Sequence, residues 1–486
     1  MSKPLRLLDN SGYVEKLEDL SESDIRKKWV SLLDFRPKAN AISFLRHLSA
    51  NTIGQLLADD GSDILVWPQS FSECHGDLKD MKVVQYDGNI YQTGNLVGFI
   101  GNGKVQLEIT SRFFDGSRES DNFLYYMLSR QCRLNVLNME VGKGNVSALD
   151  LQMFMFPRFF KEAMRQGMFK KYIRKEYNDA NVRGVISVNR HIRGNYPENG
   201  RIAYSTREFS YDNEVTQLIR HTIEYMDSTP IGRALLHMDQ DVESYVRHII
   251  QHTPNYRKNE RHKVIADNRI PVTHPYFTAY RPLQRLCMSI LRNDRMSYGF
   301  DDVKVRGVLI DVAWLWEEYM ADILTEVGFV HHTQQDGFKL FNDTNSNHSF
   351  QTVIPDYVYT DENGNSIVSD AKYIPLHRYK QMSAEKAGAV YYKTIMYMYR
   401  FATDIGYLLH PCSRADADAD ADGAGASGHV TYADYEIANG RDCHLYEIGL
   451  VVPDETNFKN FCICMQEAEN TFKETITNTT ILWQKN

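Results

Sequence analysis

The sequence lacks the features that mark membrane, secreted or nucleotide-binding proteins. No apolar stretch among its 486 residues approaches the roughly 18 residues that span a bilayer. The N-terminus, MSKPLRLLDNSG, has no apolar signal-peptide core, and the seven scattered cysteines show no zinc-type spacing. These absences predict a cytoplasmic protein with reduced thiols. The chain also has no GxxxxGKS or GxxxxGKT phosphate loop, so it carries no nucleotide site of that kind.

Positive charge is scarce overall but is concentrated in one region. The net charge of −8 argues against a protein that coats nucleic acid with its whole surface. Residues 158–207 nevertheless hold 12 Lys and Arg against 4 Asp and Glu, a local balance of +8. Such a segment is typical of a surface that follows a phosphate backbone, and also of a solvated lysine-rich helix. Its candidate DNA contacts are Lys170, Lys171, Arg174 and Lys175.

Composition and patterning predict a globular, mixed α/β protein. With 43% hydrophobic and 12% aromatic residues, the chain is long enough for two or three domains. The first 60 residues carry helical patterns, and residues 63–113 then switch to a small β-meander whose hairpins turn at DGN and GNG. The remaining predictions are a helical region over 121–168, further helices at 212–227, 239–252 and 276–292, and a late strand at 443–453.

The most informative segment is VIPDYVYTDENGNSIVSDAKY, residues 353–373. Two β-branched runs joined by DENGN predict a hairpin. Because side chains alternate across a strand, Asp370 and Lys372 face the same side, and Asp356 belongs to the neighbouring strand. Mg²⁺ prefers oxygen ligands and usually takes one or two carboxylates together with water and phosphate oxygens. The segment therefore predicts a metal-dependent phosphodiesterase site or, alternatively, a surface hairpin with an incidental lysine.

The order of these residues resembles the PD-(D/E)xK nuclease superfamily. The dipeptide PD is followed by thirteen residues and then by DxK. The resemblance implies that Asp356 and Asp370, with the carbonyl of Ala371, hold one or two Mg²⁺ ions. Lys372 would position the attacking water or neutralise charge that develops on the phosphate.

A carboxylate on the preceding predicted helix extends this site. Helical periodicity places Glu317 on the apolar stripe with Ala313 and Met320, and Glu318 on the solvated face. A carboxylate that faces the core is costly unless it is paired or binds a metal. The first core helix of the superfamily carries such a glutamate, so the resemblance makes Glu317 a third metal ligand. A salt bridge to an arginine at the edge of the core is the alternative.

Several phrases outside the hairpin resemble McrC proteins, the nuclease subunits of McrBC restriction systems. They are RQGMFKKYIRKEYNDANVRGVISVNRHIRGN (165–195), LEITSRFF (107–114), YDNEVTQLIR (211–220) and LWEEYM (315–320). The form LEITSRF is closer to the McrC-like subunits of LlaJI-type systems. Because the matches extend over roughly residues 95–400, they are more specific than the hairpin alone.

This resemblance implies a subunit that docks on a hexameric McrB-like AAA+ GTPase and cuts double-stranded DNA. The partner would bind GTP, and the N-terminal part of this chain would engage the ring and stimulate GTP hydrolysis. We expect a helical and β-meander N-terminal region (1–120), a helical, basic middle region (121–295) and a PD-(D/E)xK nuclease domain with a central mixed sheet flanked by helices (296–486). The acidic stretch at 413–428 is predicted to be a mobile insertion in that sheet, with a calcium-binding repeat as the alternative.

One position departs from the family pattern, and two other functions remain open. Many McrC proteins have a glutamine in a phrase like YQxxxY after DxK, where this chain has Lys393 between Tyr392 and Tyr397. Lys393 is predicted to contact a DNA phosphate or, alternatively, to lie on a solvated helix face. The competing functions are a non-catalytic activator of an AAA+ partner and a stand-alone DNA repair nuclease.

Overall fold

The computed structural model divides the chain into two compact units. Unit 1 contains residues 1–148 and 299–486, and unit 2 contains residues 149–298. The structure describes residues 5–14, 30–32, 39–58, 63–68, 80–102, 104–114, 121–132, 148–293, 305–333, 337–343, 348–374, 384–414, 417, 429–437 and 442–484. Two predictions fall largely outside these residues: the helical pattern at 21–35 and the acidic insertion at 413–428.

The described residues form thirteen α-helices and twenty strands. The helices are α1 (Ala39–Ala50), α2 (Ile53–Ala58), α3 (Asn122–Gln131), α4 (Ala148–Arg165), α5 (Val188–Asn195), α6 (Glu214–Asp227), α7 (Pro230–Leu236), α8 (Gln240–His252), α9 (Arg261–Asp267), α10 (Tyr280–Asn293), α11 (Val312–Thr325), α12 (Ala384–Arg400) and α13 (Phe458–Gln484). The strands are β1 (Leu5–Leu8), β2 (Gly12–Val14), β3 (Val30–Leu32), β4 (Asp63–Trp67), β5 (Val84–Tyr86), β6 (Tyr91–Thr93), β7 (Leu96–Gly101), β8 (Gln106–Thr110), β9 (Lys171–Asp179), β10 (Val185–Ile186), β11 (Ile202–Ser210), β12 (Arg306–Asp311), β13 (Val330–His331), β14 (Phe338–Asn342), β15 (Ser349–Val353), β16 (Tyr357–Thr360), β17 (Ser366–Ala371), β18 (Ile405–Ser413), β19 (Val430–Glu436) and β20 (His444–Val452). Among the described residues, no helix combines the length and apolar character needed to cross a membrane.

The N-terminal part of unit 1 contains two sheets. One has the strand order β1-β8-β7-β12-β4 and the other β3-β2-β6-β5. Helices α1 and α2 confirm the helical pattern of residues 42–60. The first 60 residues also contain strands β1, β2 and β3, which were not expected, and β3 lies within the helical pattern at 21–35. Both predicted hairpins form, β5 with β6 and β7 with β8. They belong to different sheets, so the single meander predicted over 63–113 is wrong.

Strand β12 explains why the meander does not form. It pairs antiparallel with β7, where Val308 lies opposite Phe99, and parallel with β4, where Val308 lies opposite Leu65. Val308, Leu309 and Ile310 are buried in this sheet. Four strands from the first 110 residues therefore share one sheet with a strand at 306–311, an arrangement that differs from the separate regions expected at 1–120 and 296–486.

The C-terminal part of unit 1 contains a mixed six-stranded sheet in the order β13-β16-β17-β18-β20-β19. Strands β17, β18 and β20 run parallel, and the other pairs are antiparallel. The strand predicted at 443–453 is confirmed as β20, and the acidic stretch lies between β18 and β19 of the same sheet.

Helices cover both faces of the six-stranded sheet, as predicted. Val368 packs with Tyr397 and Met398 of α12. Tyr407 lies on the opposite face, because its neighbour Gly406 is the residue in register with Val368, and its hydroxyl contacts Thr479 of α13 at 2.9 Å. The same alternation places Asp370 on the α12 face.

Unit 2 combines helices α4 to α10 with a three-stranded sheet in the order β10-β11-β9. Helices α6, α8 and α10 correspond to those predicted at 212–227, 239–252 and 276–292. The lysine-rich segment at 171–179 is the strand β9, so the alternative of a solvated lysine-rich helix is wrong for these residues. Each of its residues pairs with a residue of β11, and this long-range pairing outweighs a helical preference that is weak in isolation.

Candidate active site

The predicted hairpin is present and brings the DxK residues to the end of a central strand. Strands β16 and β17 pair antiparallel, with Tyr357 opposite Ser369. In the turn, the Asp361 carboxylate accepts hydrogen bonds from the backbone N–H groups of Asn363 at 2.9 Å and Asn365 at 2.8 Å. Gly364 adopts φ +85°, a conformation that favours glycine. The DENGN motif thus fixes the turn through its own side chains.

Asp370 lies at the centre of the site and is completely buried. The Lys372 ammonium forms an ion pair with its Oδ2 atom, and the Lys393 ammonium lies 3.6 Å from Oδ1. Burial raises the pKa of Asp370, but the two ammonium groups outweigh burial and hold the pKa below its ordinary value. Asp370 is therefore a buried carboxylate that remains ionised.

Asp356, the residue that precedes β16, supports the same strand end. Its carboxylate is 5% exposed, and Oδ2 accepts the backbone N–H of Ala371 at 2.7 Å. Burial raises the pKa of Asp356 well above its ordinary value, and the nearby carboxylates of Asp370 and Glu317 raise it further. A cation placed among these carboxylates would offset this repulsion.

Glu317 lies on α11, at the edge of the helix face that packs inward. Trp316 and Met320 are fully buried, and the Glu317 side chain is 15% exposed. Burial raises the pKa of Glu317 to about 8; Lys372 opposes this shift and Asp370 adds to it. Its Oε1 lies 3.4 Å from Nε2 of His331. His331 was not singled out from the sequence, because only the pairing of β13 with β16 brings it near Glu317.

Lys372 follows β17 and contacts two of the predicted metal-binding groups. Its side chain is 11% exposed, and Nζ contacts Asp370 and lies 3.2 Å from the Ala371 carbonyl oxygen. Burial lowers the pKa of Lys372, but Asp370 and Asp356 outweigh burial and hold the pKa above its ordinary value. The ammonium therefore remains protonated near neutral pH.

The donor set is compatible with Mg²⁺, although it is not arranged as a ready coordination shell. The predicted ligands, Glu317, Asp356, Asp370 and the Ala371 carbonyl, all offer the oxygen atoms that a hard cation prefers. The described residues nevertheless contain no group of three or more His, Cys, Asp and Glu poised to hold a metal ion. Lys372 lies against the same Asp370 carboxylate and Ala371 carbonyl. Its ammonium group therefore occupies part of the space beside these two groups.

Lys393 extends from α12 toward the same carboxylate. Its side chain is 40% exposed, and Nζ lies 5.3 Å from the Tyr397 ring centroid. Burial lowers the pKa of Lys393, but the Asp370 and Asp356 carboxylates outweigh burial and raise it above its ordinary value. Lys393 therefore bridges the buried carboxylate and the surface, and a contact with a DNA phosphate stays a prediction.

The four basic candidates at 170–175 occupy a different setting in unit 2. Lys171 forms an ion pair with Glu214, and Lys175 Nζ lies 3.1 Å from Glu208. Arg174 is exposed and donates a hydrogen bond from Nε to the Ser205 hydroxyl at 3.0 Å. Lys170 Nζ lies 4.0 Å from the centroid of the Tyr211 ring. Carboxylates thus offset the charge of two of the four candidates.

Of the comparisons with known proteins, the match to a family model agrees with the sequence resemblance. The chain is similar, at 14% identity over 98% of its length and 100% of the other chain, to a solved half-complex from a tetradecameric assembly of Thermococcus gammatolerans McrB AAA+ hexamers with bound McrC, with a TM-score of 0.43. A cryo-EM structure of the Thermococcus gammatolerans McrBC complex matches at 12% identity over 66% of this chain and 87% of that one, with a TM-score of 0.26. A search of curated proteins found no match.

The model of the McrBC 5-methylcytosine restriction system component family matches residues 91–411. Because this match spans well over half of the chain, the protein belongs to that family.

Proposed function

We propose that this chain is the McrC-type nuclease subunit of a GTP-dependent restriction system and that it hydrolyses DNA phosphodiester bonds with the help of Mg²⁺. The observation that carries the proposal is the environment of Asp370. This fully buried carboxylate stays ionised beside Lys372 and Lys393, and it interacts with the buried Asp356 and the largely buried Glu317. Coupled buried acids of this kind are common in catalytic and metal-binding sites.

Glu317, Asp356, Asp370 and the Ala371 carbonyl are the proposed metal ligands. A bound Mg²⁺ would polarise the phosphate and lower the pKa of the attacking water. The protein's own contribution is to hold Asp370 and Ala371 at the end of β17, where the Asp356 carboxylate fixes the Ala371 N–H.

The raised pKa of Lys372 favours an electrostatic role. A lysine acts as a general base only when it is neutral, and Asp370 and Asp356 keep this ammonium charged. A charged Lys372 can stabilise negative charge that develops on the scissile phosphate, a contribution that preorganised donors make most strongly in a site shielded from water. Of the two roles considered for Lys372, we therefore propose charge neutralisation.

The proposed partner is a hexameric McrB-like AAA+ GTPase, and the proposed substrate is double-stranded DNA. Membership of a restriction-system family supports both. The sequence has no phosphate loop of its own, which supports the assignment of GTP binding to the partner. DNA contacts by Lys393 and by the basic strand β9 remain part of this proposal.

A metal-binding experiment tests the site without relying on cleavage. A ligand that binds only the folded state raises the free energy of unfolding by about 2.7 kcal/mol at one hundred times its dissociation constant. We expect Mg²⁺ to raise the melting temperature of the wild-type chain and to have little effect on Asp370→Ala. Equal shifts in both proteins would contradict the proposed ligand set.

Cleavage assays separate the three candidate functions. The proposal expects DNA cutting only when the chain is combined with its AAA+ partner, GTP and Mg²⁺. A non-catalytic activator would stimulate GTP hydrolysis without any cutting. A stand-alone repair nuclease would cut DNA without nucleotide or partner.

A further inference from the structure

The backbone that carries Lys372 is anchored at three successive residues. The Ala371 N–H donates to Asp356 at 2.7 Å, and the Lys372 N–H donates to the Leu409 carbonyl at 2.8 Å. The next carbonyl, that of Tyr373, accepts a hydrogen bond from Nη2 of Arg112. The first two anchors come from the six-stranded sheet itself. The third comes from a residue more than 250 positions earlier in the chain.

Arg112 is held tightly in its position. Its side chain is 4% exposed, and its guanidinium lies 4.6 Å from the Phe113 ring centroid and 4.2 Å from that of Tyr373. Nη1 lies 3.9 Å from the buried Asp9 carboxylate, and Nη2 is 3.4 Å from the Pro411 carbonyl. Only a planar cation with several donors can stack on two rings and also contact two backbone carbonyls.

The backbone of Arg112 is fixed as well. Its N–H donates to the Asp9 carboxylate at 2.6 Å. The preceding residue, Ser111, donates from its N–H at 2.6 Å and from its hydroxyl at 2.7 Å to the Asp121 carboxylate. The guanidinium therefore projects from a rigid base beside β8, and this rigidity allows it to set the position of a distant backbone group.

We propose that Arg112 is a positioning residue for Lys372. The strand β17 ends at Ala371, and the Lys372 N–H makes one more hydrogen bond to β18 before the chain leaves the sheet. Beyond that point, Arg112 holds the Tyr373 carbonyl and the Pro411 carbonyl of β18 together. It thereby fixes the direction of the backbone at Lys372, and this direction sets where the Lys372 side chain points.

The consequence for catalysis follows from the sensitivity of reactions to geometry. A displacement of about 1 Å in a catalytic group costs on the order of 10²-fold in rate. Loss of Arg112 frees the Tyr373 carbonyl and lets the Lys372 backbone shift. This inference rests on the proposed nuclease function, because it assigns Arg112 a role through Lys372.

The same contacts are compatible with a purely structural role. Arg112 and Asp9 form a buried ion pair, and removal of one partner from such a pair is destabilising. A structural role would lower stability without a selective effect on kcat. The test therefore needs a kinetic readout, a melting curve for each variant and a control arginine in the same unit that does not contact the β17 end.

Arg6 provides that control. It forms an ion pair with Glu108 at 2.6 Å and lies 5.5 Å from the Phe114 ring centroid. Like Arg112, it combines a carboxylate with an aromatic ring, but it lies on the edge strand β1 and its side chain is 44% exposed. None of its described contacts involves the β17 end.

The experiment compares Arg112→Ala, Arg112→Lys and Arg6→Ala in the full chain, assembled with its AAA+ partner, GTP and Mg²⁺. We expect both Arg112 variants to lower kcat for DNA cleavage at least tenfold with little change in KM, and Arg6→Ala to leave kcat within about twofold of wild type. Added guanidinium ion at low millimolar concentration should restore part of the activity of Arg112→Ala, because it can occupy the vacated space. It should not restore Lys372→Ala.

Three results would overturn the inference. They are a wild-type kcat in a folded Arg112 variant, an equal loss in Arg6→Ala, or a loss in Arg112→Ala that follows its melting temperature and shows no guanidinium rescue. If Arg112→Ala does not fold, the kcat of Arg112→Lys tests the inference, and a wild-type value overturns it. Wild-type cutting by Lys372→Ala would instead contradict the proposed function, so the two failures are distinguishable.

Discussion

The end of β17 and the β9–β11 sheet are both rich in charged side chains, but these side chains are buried at the end of β17 and exposed on β9. At the end of β17, Asp370 is fully buried and Lys372 is 11% exposed, so their interaction outweighs the cost of burial and shifts both pKa values. On β9, Lys171 is 53% exposed and pairs with Glu214. Both regions stood out in the sequence as candidates for phosphate chemistry.

The comparison teaches that the burial of charged side chains marks a candidate functional site better than their number does. An exposed ion pair contributes little and is screened by salt, whereas buried charges interact strongly and need specific partners. The basic segment at 170–175 holds four cations, but carboxylates neutralise two of them. The short DxK motif therefore leads to a more specific and more readily tested prediction than the long basic segment.

The largest expected effect concerns the buried pair. We predict that Asp370→Ala or Lys372→Ala lowers DNA cleavage by ~100-fold or more, because each removes a proposed ligand or charge at the reacting phosphate. Association with the AAA+ partner and stimulation of its GTP hydrolysis should persist. Cleavage assays with Mg²⁺ and the cognate partner measure the first, and a pull-down with a GTPase assay measures the second. Wild-type cutting by either variant would refute the assignment.

A smaller effect should separate the adjacent glutamates on α11. We predict that Glu317→Gln impairs cutting about tenfold more than Glu318→Gln, because Glu317 interacts with Asp370 and Lys372. Initial cleavage rates of the two variants, measured side by side with Mg²⁺, give the ratio. A ratio near one would mean that Glu317 is not a ligand.

The raised pKa of Glu317 predicts a pH dependence of stability. The folded protein binds this proton up to about pH 8, whereas the unfolded chain releases it near the ordinary value of 4.5. Stability from this group is therefore fully present below pH 4.5 and is lost as pH rises to about 8. In EDTA, the melting temperature of Glu317→Gln minus that of wild type should increase between pH 5 and pH 8. Glu318→Gln serves as the control, and a constant difference for Glu317→Gln would contradict the shift.

The smallest effect is expected from replacing the basic residues at 170–175, at the start of β9. Replacement of Lys170, Lys171, Arg174 and Lys175 by Ala should weaken DNA binding of the assembled complex and reduce its salt dependence by about 0.9 per lost phosphate contact. Because Lys171 and Lys175 are paired with carboxylates, we expect the slope of log K against log salt to change by the amount for about two lost phosphate contacts and not for four. DNA affinity at several salt concentrations, with a melting curve and a pull-down, measures it. An unchanged slope with weaker subunit assembly would show that these residues serve the protein partner.

Local sequence was sufficient for the hairpin and for the face that its charged residues share. DENGN encodes the turn through Asp361 and Gly364, and the alternation of a strand places Asp370 and Lys372 on one face. The same short-range rules found α6, α8 and strand β20. These features depend on residues within a few positions of each other, so a pattern read along the chain can predict them.

Other features depend on residues that are far apart in the chain. Strand β12 completes a sheet with β4 and β7, Arg112 reaches Tyr373, and His331 approaches Glu317. The basic segment became a strand because β11 offers it a full set of backbone partners. Such contacts form when distant surfaces bury each other's apolar atoms and satisfy each other's hydrogen bonds, and no local pattern specifies which surfaces will meet.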